Sequence, residues 1–65
     1  MNTLEWTEIN CLIEALELLV AKHNNILADA SIDEDTRSDH SNDLAYAEII
    51  LHKYEQVRDQ LAASN

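Results

Sequence analysis

The stretch Leu4–Leu27, LEWTEINCLIEALELLVAKHNNIL, is the one long apolar-rich run in a chain of 65 residues, and its periodicity decides the fold. Ile9, Leu12, Leu16, Leu19 and Ile26 recur in steps of three and four, with His23 filling the remaining slot. That rhythm draws a stripe down one side of an α-helix. Trp6, Ile13, Val20 and Leu27 run beside it at seven-residue steps, and a third row, Leu4, Cys11 and Leu18, lies nearly opposite. A helix apolar over so much of its circumference needs more than one neighbour.

The pattern predicts a helix over 3–28. Asn2 or Thr3 can cap it, and Asn2 with Glu5 has the spacing of a capping box. Asn24 and Asn25 mark a place to fray, because Asn tolerates a left-handed cap. Ile26 and Leu27 continue the apolar rows, so the helix is carried to Ala28. At about 1.5 Å per residue it spans roughly 38 Å.

Outward from this helix, the next regular pattern begins at Leu44. Ala47, Ile50, Tyr54, Val57 and Leu61 follow in steps of three and four, flanked by Leu44 and Leu51. Glu48, His52, Glu55 and Asp59 fall on the other side. This predicts a one-faced amphipathic helix over 44–63, capped by Ser41 with Asp43 in its first turn. Between the two helices, 29–43 reads as an acidic connection. From Asp33 to Asp43 the sequence DEDTRSDHSND contains no apolar residue. Such a segment has nothing to bury and is expected to be mobile. Ser31 and Glu34 form a second capping-box pattern, so a short helix from Ile32 is expected within the connection. A continuous second helix from that point is the alternative.

The chain contains no Gly and no Pro, which argues against tight hairpins of strands and suits long helices. The expected class is all-α: one small domain, 1–65, folded as an antiparallel helical hairpin. A chain this short buries only about 60% of its unfolded surface and is marginal alone. Cys11 is the one cysteine, so no disulfide within the chain can support it. Association is the remaining route, and two hairpins pairing through the long helix would give a two-fold dimeric four-helix bundle. Ile9, Leu12, Ile13, Leu16, Leu19 and Val20 are the residues expected to carry it.

Net charge is −9, from 13 acidic and 4 basic residues. Residues 29–43 hold six of the acids against Arg37 alone. This balance repels nucleic acid and anionic membrane, whose binding depends on Lys and Arg. It suits a basic protein partner, with Asp29, Asp33, Glu34, Asp35, Asp39 and Asp43 as the surface such a partner would meet. No signal peptide or membrane span is expected, since Glu5, Glu8, Glu14 and Glu17 interrupt the apolar run. A cytoplasmic protein with a reduced thiol is the expectation.

Chemistry-bearing patterns are few. Glu48, His52 and Glu55 have spacing suited to a divalent metal, but they project away from the expected seam and read as a solvated face. A calcium loop started at Asp33 would need Gly at Ser38 and a bidentate Glu at Leu44, and fails. His23 reads as a core or core-edge residue, and Cys11 as a small buried hydrophobe. There is no phosphate loop and no nucleophile–base motif. No catalytic residue, cofactor or metal is therefore assigned. The expected function is non-enzymatic: self-association and protein–protein interaction. The alternative is an acidic mimic of nucleic acid that occupies a basic groove.

Overall fold

The computed structural model describes residues 3–64, with side chains from 5 to 64. The expected Asn2 cap and the Leu4 side chain lie outside these. Two helices make up the fold: α1, Thr3–Leu27, and α2, Glu34–Ala63. They lie against each other along their length as an antiparallel hairpin, a rod of 48 × 14 × 12 Å. No described helix is long and apolar enough to cross a membrane.

α1 ends within one residue of its expected bound. The start of α2 differs by ten: the expected connection 29–43 and helix 44–63 become a short connection, 28–33, and a helix from Glu34. Ser41 is an interior residue of α2, not its cap. The cap is Asp33, whose extended backbone lets its carboxylate accept the Thr36 N–H at 2.8 Å. Glu34 and Asp35 then sit in the positive first turn, where carboxylates are favourable. The polar run is thus a helix whose first turns need no apolar face of their own. Ser31 serves the turn: its N–H and hydroxyl both donate to Asp29 Oδ1, at 2.9 and 2.7 Å.

The reversal uses no left-handed residue, and none of the described residues has positive φ. Side chains close it. Arg37, in the second turn of α2, donates from Nη1 to the Leu27 carbonyl at 3.1 Å and from Nη2 to the Asp29 carbonyl at 3.2 Å. It satisfies carbonyls that a helix end leaves unpaired, and brings positive charge to the negative end of α1.

The core is small. Its buried apolar residues are Ile9 and Ile13 of α1 and Ala47 of α2. The seam therefore runs between the two rows read on α1, not along the centre of the first. On α2 it follows His40, Leu44, Ala47, Leu51, Tyr54, Arg58 and Leu61, all buried or half-buried, in steps of four and three. Leu44 and Leu51 are thus seam residues rather than flankers, and Ile50 is turned outward. Tyr54 keeps its expected place, with Lys53 Nζ 5.8 Å above its ring. Cys11, expected to be buried, is exposed on the outer side of α1.

Candidate functional site

The six residues expected to carry association divide in the hairpin. Ile9 and Ile13 are turned into its own seam, and Leu16 and Val20 are half-buried there. Leu12 and Leu19 remain 40% and 39% exposed. They stand seven residues apart along one edge of the α1 seam, with Ile26 next in the series. On α2, Asp43, Ile50 and Val57 form the corresponding edge. In an antiparallel helix pair, edges that share this position relative to the seam fall on the same side. One broad side of the hairpin therefore carries Leu12, Leu19 and Ile50, with Asp43 at its turn end and Tyr46 further out on α2. The other carries Glu17, Asn24, Glu48 and Glu55. The hairpin as a whole is amphipathic, though neither helix is cleanly so.

The acid-rich segment is ordered. Two of its carboxylates work on the local backbone. Asp29 is held below the ordinary carboxylate range by the Ser31 hydroxyl first, then by the Ser31 N–H, with a smaller contribution from Arg37. Asp33 is held low by the Thr36 hydroxyl and N–H. Glu34, Asp35, Asp39 and Asp43 are exposed. Asp35, Asp39 and Asp43 follow at four-residue steps, along one row of α2.

The same extension of α2 creates a constellation that the sequence reading did not assemble. His23, only 5% exposed, faces His40 across the seam, Nδ1 to Nδ1 at 2.9 Å. The rings are tilted at 50° with centroids 5.1 Å apart. Asp43 joins them, and one ligand atom from each of the three residues lies within 4.8 Å of the others. His23 was legible as a buried stripe residue. His40 was not, although it stands seven residues before Ala47 and fourteen before Tyr54, on the seam extended backward. The other triplet, Glu48, His52 and Glu55, behaves as a polar side: Glu48 and His52 are exposed, and Gln56 Nε2 lies 3.3 Å from His52 Nε2.

No family model, curated protein or solved structure matches the chain.

Proposed function

We propose that the protein is a non-enzymatic interaction protein that acts as a homodimer, two hairpins pairing through their apolar sides into a four-helix bundle. The supporting observation is the side defined by Leu12, Leu19 and Ile50, left 39–41% exposed by a hairpin whose buried apolar core is Ile9, Ile13 and Ala47. Two helices form one seam, and each helix still has an apolar edge to cover. A second copy supplies the matching apolar side by symmetry. The acidic side and the first turns of α2 then remain outside, where a basic protein partner would dock.

Sedimentation equilibrium over a range of concentrations tests this. The expected mass is twice the chain mass of 7.4 kDa. A monomer at all concentrations with full helicity would overturn the proposal.

The row Asp35, Asp39 and Asp43 favours a second reading, electrostatic mimicry of nucleic acid. A mimic would lose a basic partner steeply between low and moderate salt, whereas an apolar interface would hold.

A further inference from the structure

We propose that His23, His40 and Asp43 form a binding site for a divalent transition-metal ion of the zinc class, clasping α1 to α2 near the turn. Three observations point there together. The two imidazoles bring the same atom, Nδ1, to within 2.9 Å of each other across the seam. Two nitrogens bound to zinc at about 2.0–2.1 Å stand about 2.9 Å apart at a right angle and about 3.3 Å apart at the tetrahedral angle. The pair is therefore spaced for ligation, and opening by a few tenths of an ångström makes it tetrahedral. The Asp43 carboxylate lies one turn beyond His40 on the same helix, and the ligand atoms of all three residues lie within 4.8 Å of one another. Carboxylate rotation shortens that span.

Second, the site has a wall. His23 is 5% exposed, so one side of the ion would be shielded while Asp43 closes the solvent side. Third, the two imidazoles occupy facing core positions in a protein with few of them. In the absence of an ion the pair is an ordinary hydrogen bond, one Nδ1–H donating to the other Nδ1, and an ion would take the place of that proton. An ion accepts both nitrogens at once. Two imidazoles and a carboxylate suit zinc, cobalt or nickel and not calcium or magnesium, which take oxygen donors. Three protein ligands leave a fourth position for water.

The ligands come from both helices, so the ion binds the folded hairpin and stabilises it. This inference does not depend on dimerisation.

The test uses the full chain without a histidine tag, stripped of metal by a chelator that is then removed. Co²⁺ binding is followed by visible absorption, Zn²⁺ binding by calorimetry, and the three histidine ring signals by NMR. One ion per chain is expected, with Zn²⁺ displacing Co²⁺ and excess Mg²⁺ displacing neither. His23 and His40 signals should shift with Zn²⁺ while those of His52 stay in place. Binding should be lost in His40→Gln, weakened at least about tenfold in Asp43→Asn, and unchanged in His52→Gln. Far-UV circular dichroism is read on every variant. If His40→Gln does not fold, the exposed Asp43→Asn variant and the ring signals decide. Absence of saturable binding, equal shifts at all three histidines, or indifference to Asp43→Asn would each overturn the three-ligand site.

Discussion

The Arg37 guanidinium reaches back ten residues to hold the carbonyl of Leu27 at 3.1 Å and, with its other nitrogen, the carbonyl of Asp29 at 3.2 Å. One side chain of α2 thus terminates α1. Arg37→Ala should destabilise the hairpin by about 1.5–3 kcal/mol, the range for hydrogen bonds to charged groups. Arg37→Lys should recover only part of this, because an ammonium lacks the planar fork that spans two carbonyls. Urea denaturation at fixed protein concentration checks both, and equal stability of Ala and wild type would remove the assigned role.

Among the described residues, Ile13 is the most buried apolar side chain, 2% exposed. Ile13→Ala should cost about 2–5 kcal/mol, a large share of what so small a fold has. Leu18 is 67% exposed on the outer side of α1. Leu18→Ala should stay within about 0.5 kcal/mol of wild type. Thermal melts of the two variants side by side test where the seam runs.

Leu12→Asp and Ile50→Asp place a charge on the same broad side from different helices. If that side is the dimer interface, each should shift the sedimentation mass toward the monomer, and Leu18→Asp should not. A dimer unaffected by Leu12→Asp and Ile50→Asp would relocate the interface.

Acid should weaken the turn through Asp33 and Asp29. Both are held below the ordinary value of 3.8 in the fold. Between that value and the lowered one, the unfolded chain takes up the proton more readily, so stability present above about pH 4 is lost as pH falls further. Asp33→Asn retains an oxygen that can cap α2 but cannot titrate. Its stability should therefore fall less steeply in this window than that of wild type, as read by melts between pH 5 and pH 2. An identical acid limb would show that Asp33 does not contribute.

How much of this was legible can be judged at particular residues. The Ile9–Ile26 rhythm gave α1 and, with the Ala47–Leu61 rhythm, the hairpin. It could not give the start of α2, because Arg37 and His40 occupy seam positions there with polar side chains, and Thr36 is half-buried beside them. A reading based on apolar periodicity passes over them, although their carbon frameworks pack like those of apolar residues. Ser41 is a good cap by type, and only the continuity of the helix through it shows that Asp33 is the better one. The split among Ile9, Leu12, Ile13 and Leu19 was also beyond the sequence. The two adjacent rows on α1 leave the seam free to follow either or to run between them, and the row spacing alone does not choose. His40 was invisible as a partner for His23 for the same reason that α2 was begun too late.

The chain reverses through 28–33, where Asp29, Asp33 and Arg37 clasp the turn, and the start of α1 and the end of α2 therefore lie together at the opposite tip of a rod 48 Å long. The molecule is closed at one tip and open at the other. Fluctuations should unzip it from Trp6 and Leu61 inward, and the amides beside His23 and His40 should be among the last to exchange with solvent. The clasp and the histidine pair thus sit at the tip held by side chains, far from the tip where the two helices part.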